Sequence, residues 1–216
     1  RALHAAATGV AQLHRERIAH QDIKPANILR FEECTAKVGD LGRAVDPDVS
    51  ADHVEHSIAG DETFAPPELL YNYVDPEWQV RRLGCDIYLM GSLVVSLLLG
   101  SAMTPLVQAR LAPSHRAYEW TGTYAEVLPY VQEAFAEVVE DIAAQLNKLI
   151  LDEKIVASLC EIIRQLCNPD PSFRGDPIER ARHGNPFSLE RYIARLDLIS
   201  KKLELVRRET RAKVAG

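Results

Sequence analysis

The sequence predicts a mainly α fold with one small β-hairpin near its start. Helical spacing of apolar residues recurs over residues 1–16, 124–167 and 187–213. Residues 84–99 are apolar on every side, the pattern of an enclosed helix. Only residues 28–31 and 35–38 carry short β-like runs, joined by a polar turn.

In chain order, Leu3, Ala6, Ala7, Val10 and Leu13 make residues 1–16 an amphipathic helix, with an alanine face that permits close packing. The hairpin follows. Residues 43–63 are polar and acidic, contain Pro47 and Gly60, and show no clean period, so they read as a mobile loop. Pro66 and Pro67 can open a short helix through Tyr71. Residues 101–122 hold Pro105, Pro113 and Gly122 and read as loop with a helical turn at most. Val127, Val131, Phe135, Val138, Ile142 and Leu146, then Ile155, Leu159, Ile162 and Leu166, continue the helical pattern to Cys167. After a turn-rich stretch at 168–176, Leu189, Ile193, Leu196, Ile199, Leu203 and Val206 mark a last amphipathic helix, under three clean heptads long.

A chain of 216 residues, 47% of them hydrophobic, can bury one sizeable core. The formal charge of −6 excludes nucleic-acid binding by the chain as a whole. That charge is uneven: residues 191–216 carry eight Lys or Arg against three acids, so the tail is +5 and the remainder −11. Cys34, Cys85, Cys160 and Cys167 form no CxxC pair, which fits reduced thiols and a cytoplasmic protein. Residues 87–99 are too few to span a bilayer and include Gly91, Ser92 and Ser96, so no transmembrane segment is expected. No signal-peptide pattern is visible, and a start on Arg1 in mid-helix suggests a fragment.

The chemistry concentrates in His20-Gln21-Asp22-Ile23-Lys24-Pro25-Ala26-Asn27. Pro25 stiffens this stretch as a loop that points a carboxylate, an ammonium and an amide one way. Beyond the hairpin lies Asp40-Leu41-Gly42. A carboxylate base, a cation, and an amide with a carboxylate able to hold Mg²⁺ through hard oxygens suit phosphoryl transfer.

His-Gln-Asp-Ile-Lys-Pro-Ala-Asn resembles the catalytic loop of eukaryotic-type protein kinases, and Asp40-Leu41-Gly42 their Asp-Phe-Gly. Three further stretches match in order. Phe64-Ala65-Pro66-Pro67-Glu68 is similar to the Ala-Pro-Glu end of the activation segment, and Asp86 through Gly91 to the start of the central helix. Asp170-Pro171-Ser172-Phe173-Arg174 looks like the late arginine that pairs with that glutamate. Five motifs in register make a specific signal.

The resemblance implies a kinase-like C-terminal lobe over residues 1–186, with a small β-hairpin near the catalytic loop and a helical insertion at about 101–153. A C-terminal amphipathic helix at 187–216 packs on it or extends from it. The implied activity is ATP- and Mg²⁺-dependent phosphorylation of serine or threonine on a protein substrate. In that reading Asp22 handles the substrate hydroxyl proton and Lys24 steadies the transferring phosphate. Lys24, Asn27 and Asp40 contact the nucleotide, and Asn27 and Asp40 hold the metal. His20 braces the loop, Gly42 permits backbone conformations a Cβ would block, Glu68 pairs with Arg174, and Asp86 either caps its own helix or reaches the loop backbone.

Four departures qualify the match. Gln21 replaces the arginine that meets a phosphorylated activation loop, which implies activation without loop phosphorylation. Asp61 follows Gly60 where the family usually has threonine, and Leu41 stands for phenylalanine, a mild packing change. The eleven glycines contain no G-x-G pair, so a missing N-terminal lobe must supply the phosphate-covering loop, and these residues alone should be inactive. A pseudokinase scaffold and a small-molecule kinase of the same superfamily remain alternatives. The acidic face of the insertion (Glu133, Glu137, Glu140, Asp141) or the basic C-terminal helix could receive a partner.

Overall fold

The computed structural model describes residues 1–31, 36–49, 58 and 60–215, with side chains through residue 206. Cys34, the expected strand start at Thr35, the acids Asp52 and Glu55, and the hydroxyls of Ser50 and Ser57 lie outside the described residues. So do the side chains of Arg207, Arg208, Arg211 and Lys213.

Helix α1 spans Ala2–Arg15 and buries Ala6, Ala7, Val10 and Ala11. Its small face lets the hairpin lie close: a Cβ on Gly9 would sit 3.2 Å from Val38 Cγ2. The chain then turns through Arg17 in the left-handed region (φ 60°). It extends to pair Ala19 with Val45 through two backbone bonds of 2.9 and 2.8 Å. A 3₁₀ turn at Pro25–Asn27 leads into β1 (Ile28–Arg30), which pairs antiparallel with β2 (Ala36–Val38) in the register Ile28↔Val38. Phe31 falls outside the ladder and is about half exposed.

Helix α2 (Pro67–Leu70) is one turn opened by Pro67, whose missing N–H costs nothing at a first helical position. Helix α3 (Gly84–Leu99) is the hub, buried from Gly84 through Val95 and packed against α1. Sequence places its start near 84. A π-helical turn at Gln79–Leu83 in fact feeds it, giving a continuous helix from Gln79 to Leu99, 21 residues long. Length and composition alone would let that helix cross a membrane, unlike the shorter run expected at residues 87–99. What distinguishes it is burial: 78% of its apolar window lies inside the lobe.

Helix α4 (Met103–Arg110) corrects the loop expected at 101–122. Pro105 is no obstacle, because it occupies the first turn, where backbone N–H groups have no intrahelical partner. The long periodic run divides into α5 (Tyr124–Leu149) and α6 (Glu153–Leu166). A Thr123–Glu126 capping box starts α5, and the Asp152 carboxylate accepts from the Lys154 and Ile155 N–H groups to start α6. Two small groups let α3 and α6 meet: a Cβ on Gly91 would come within 2.8 Å of Leu166 Cβ and closer still to the sulfur of Cys167. Helix α7 (Pro177–His183) is short, and α8 runs Glu190–Ala215, three residues later than its sequence period suggests. Its first turns bury Tyr192, Leu196 and Ile199 in the core, whereas Leu203, Leu205 and Val206 are exposed. The acidic face of α5 is partly neutralised within the lobe, since Arg110 pairs with Asp141 and lies 3.7 Å from Glu137.

Cys85, Cys160 and Cys167 are free and buried, as reduced thiols in a core. Burial pushes all three thiols above their ordinary value, which makes them poor nucleophiles.

Glu68 on α2 and Arg174 after α6 form the expected bidentate pair, 2.6 and 2.8 Å, with Arg174 fully buried. The guanidinium also donates to Asn168 O (3.0 Å) and lies 5.0 Å over the Tyr88 ring. Burial works against its charge, but Glu68 outweighs that and holds it above its ordinary value. Removing one partner orphans a buried charge. Glu68→Gln should therefore destabilise the lobe by about 3–5 kcal/mol in urea unfolding; a loss under about 1 kcal/mol would contradict a buried, mutually dependent pair.

Candidate active site

The site is assembled at the exit of α1, where three segments converge. Asp86, near the start of α3, is fully buried. Its Oδ2 accepts from His20 N (2.6 Å) and contacts His14 Nε2 (2.9 Å); its Oδ1 accepts from Gln21 N (2.8 Å) and Gln21 Nε2 (3.0 Å). Asp86 makes no capping bond to its own helix, so of the two roles expected of it the loop contact is the one formed. A buried carboxylate needs such a donor set, and the donors it takes fix the loop that precedes Asp22.

Gln21 sits in the left-handed region (φ 64°) with its amide turned inward. Nε2 also donates to Arg82 O (2.9 Å), and Oε1 accepts from Arg82 Nη1 (3.1 Å). His20 is fully buried, the brace expected of it. Its Nε2 lies 3.1 Å from Gly39 O, and its Nδ1 is 3.3 Å from the Asp22 N–H. That pair of contacts corresponds to a neutral imidazole carrying its proton on Nε2.

Asp22 is only 7% exposed. Asn27 Nδ2 donates to its main-chain oxygen (2.8 Å) and to Oδ2 (3.0 Å). Oδ1 has no hydrogen-bond partner among the described residues. Lys24 Nζ stands 3.1 Å away as a countercharge outside hydrogen-bonding alignment, and 3.9 Å from Asp61 Oδ2. The chain returns over this loop at Gly60: a Cβ there would lie 2.8 Å from Asp22 Oδ1 and 2.5 Å from Gln21 O. Asp61 then accepts from Thr63 N (3.0 Å) and Thr63 Oγ1 (2.6 Å).

Hairpin register brings the backbones of Asn27 and Asp40 near each other. Gly39 N donates to Asn27 O (2.9 Å), so Asp40 follows immediately at the same end of the ladder. Asp40 is exposed and left-handed (φ 60°), and its Oδ1 accepts from Gly42 N (3.3 Å). Gly42 itself has no left-handed φ, which corrects the backbone role expected of it; the unusual conformation belongs to Asp40.

Among the described residues, no group of three His, Cys, Asp or Glu side chains could hold a metal. What the hairpin end offers is one neutral amide oxygen and one carboxylate. That donor set suits a hard cation whose other ligands are phosphate oxygens and water, as Mg²⁺ prefers, and not zinc. Sequence reasoning missed His14 and Arg82, whose partners lie 72 and 61 positions away with no local pattern to mark them. It also missed the contact of Gly60 with Asp22, for which an isolated glycine gives only a weak hint.

The family model described as protein kinase domain matches residues 1–183. A probable leucine-rich repeat receptor-like protein kinase of Arabidopsis thaliana is 38% identical over 107 residues, 48% of this chain and 9% of the relative. Another so described from the same plant is 30% identical over 163 residues, 74% of this chain and 13% of the relative. The maternal embryonic leucine zipper kinase of Xenopus laevis is 32% identical over 95 residues, 43% of this chain and 14% of the relative. The chain thus spans a small part of the length of the curated relatives it matches.

If Asp86 sets the loop, Asp86→Asn should expose it by placing a donor against backbone N–H groups. An unmet buried N–H costs about 1–3 kcal/mol, so hydrogen exchange at His20 and Gln21 should quicken about tenfold or more. Amides of α5 should keep their rates. Unchanged exchange at positions 20 and 21 would contradict the clasp.

Proposed function

The chain belongs to the protein kinase domain family, and from that premise we propose that it carries the catalytic residues of a serine/threonine protein kinase. The reaction is transfer of the γ-phosphoryl group of ATP, with Mg²⁺, to a hydroxyl on a protein substrate. One observation supports this above the rest: the buried Asp22 carboxylate keeps Oδ1 clear of hydrogen bonds while Asn27 fixes Oδ2.

Asp22 orients the entering hydroxyl and takes up its proton as the new bond forms. Lys24, beside it at 3.1 Å, stabilises charge on the transferring phosphate and on Asp22 alike. Asn27 and Asp40 would hold Mg²⁺ at the hairpin end and so place the triphosphate against Asp22. The cation, when bound, neutralises charge on the phosphate oxygens. A scaffold without activity has use for the Glu68–Arg174 brace, but not for a buried carboxylate with one oxygen held clear of hydrogen bonds beside a lysine. A small-molecule kinase has no evident use for that brace.

These 216 residues contain no glycine-rich phosphate cover, and Leu29, Phe31 and Leu41 around the site are each about half exposed. Turnover by the chain alone is therefore low, and activity calls for a covering lobe over that apolar rim. Buried free thiols suit a cytoplasmic setting.

Gln21 spends its amide on Asp86 and Arg82, and a neutral amide could not form a charge-assisted pair with phosphate in any case. Phosphatase treatment should accordingly leave phosphotransfer unchanged. Loss of activity, with recovery on phosphorylation at Ser50, Ser57 or Thr63, would contradict this. Asp22→Asn should lower kcat about 10²–10⁴-fold with the unfolding temperature retained; a kcat within about threefold of the parent would remove Asp22 from the chemistry.

A further inference from the structure

We propose that the site selects hydroxyls carried on basic protein segments, with Asp61 and Glu62 as the residues that set the preference. The inference rests on the phosphotransfer reading above for the identity of the entering group.

The sequence on this side of the site is one-sided in charge: residues 44–80 contain nine Asp and Glu and no Lys or Arg, seven of those acids among the described residues. Several of those acids are already engaged: Glu68 by Arg174 in the core, Asp48 by Arg17, and Asp75 by Tyr73 Oη and Glu77 N. Asp61 and Glu62 stand apart, because Gly60 lays this segment directly on Asp22 with no room for a side chain between them. Among the described residues Lys24 is the one ammonium set between Asp22 and Asp61, 3.1 and 3.9 Å from them, which leaves the trio with a net negative charge. The Thr63 hydroxyl, its N–H and Lys24 hold the Asp61 carboxyl below its ordinary value against the opposing pull of partial burial, so it is ionised at neutral pH. Glu62 is exposed; among the described residues it has no cationic partner, only the Tyr118 hydroxyl at 3.2 Å.

Asp22 Oδ1, buried and without a hydrogen-bond partner, points to what must approach. A hydroxyl donating to it at about 2.6–3.2 Å brings its own chain alongside Gly60. Successive residues are about 3.8 Å apart, so the neighbours of that hydroxyl fall beside Asp61 and Glu62, inside the Debye length of about 8 Å. Cations there complete the charge balance, while acids meet two carboxylates. Steering by the wider acidic segment acts in the same direction and weakens with salt.

The test is fluorescence anisotropy of labelled nonapeptides, each with a central serine flanked by arginine, alanine or glutamate, on the full chain at low and high salt. The arginine peptide should bind about tenfold or more tighter than the glutamate one, each exposed pair contributing up to about fivefold. Asp61→Asn combined with Glu62→Gln should bring the ratio to within about twofold. Glu133→Gln combined with Glu137→Gln removes the same charge from α5 and should leave the ratio intact. Equal binding of all three peptides, a ratio that survives the first double variant, or one that both variants reduce equally overturns the proposal. Phosphotransfer is read separately: if ATP and Mg²⁺ yield no phosphopeptide even with the covering lobe present, the kinase reading fails, and the anisotropy ratios still decide whether this surface prefers basic peptides.

Discussion

A single buried carboxylate sets the terms for this lobe. Asp86 has no exposure to solvent, and a charge in that position is tolerated only with a full complement of donors. Three of its contacts come from His20 and Gln21 and the fourth from His14, so satisfying Asp86 and shaping the loop that carries Asp22 are the same event. The left-handed backbone at Gln21 is held by these contacts. The loop cannot relax without stranding the charge, and α3 cannot shift without moving the loop.

Downstream of the loop a second set of ties makes a firm shelf. Glu68 and Arg174 bind α2 to the end of α6, while Thr104 Oγ1 donates to Ala65 O (2.6 Å) and Tyr71 Oη to His115 O (2.6 Å). Helix α4 and the turn after it thus support the segment that carries Gly60, Asp61 and Glu62. The site is bounded on one side by the hairpin end with Asn27 and Asp40, and on the other by this acidic shelf. The groups proposed to hold the metal and the charge proposed to face the substrate are thus kept apart, with Lys24 between two carboxylates.

Much of this was legible in the order of residues. The alanine face of α1, the unbroken apolar run of α3 and the hairpin follow from period and composition, because burial imposes those patterns directly. Of the four residues proposed for the site, Asp22, Lys24 and Asn27 stood out through their spacing around Pro25, and Asp40 through family resemblance. Helix α4 did not, since Pro105 looks like a breaker unless its first-turn position is known. The π-helical turn before α3 left no signal either, having the same composition as an ordinary helix start. Contacts across space were the main loss. His14 and Arg82 are ordinary residues on helical stretches, and only the fold brings them to Asp86 and Gln21. Gly42 was credited with a freedom it does not use, while Asp40, beside it, takes the unusual conformation.

The central claim is that residues 22, 24, 27 and 40 surround one metal–phosphate position. Paramagnetic broadening by Mn²⁺ added with ADP reads this directly, even where binding is weak. The account predicts selective loss of NMR signals from the Asn27 side-chain amide and the backbone of Gly39, Asp40 and Leu41, with α5 and α6 untouched. Sharp signals at Asn27 and Asp40, with broadening instead along Glu133, Glu137 and Glu140, would contradict it.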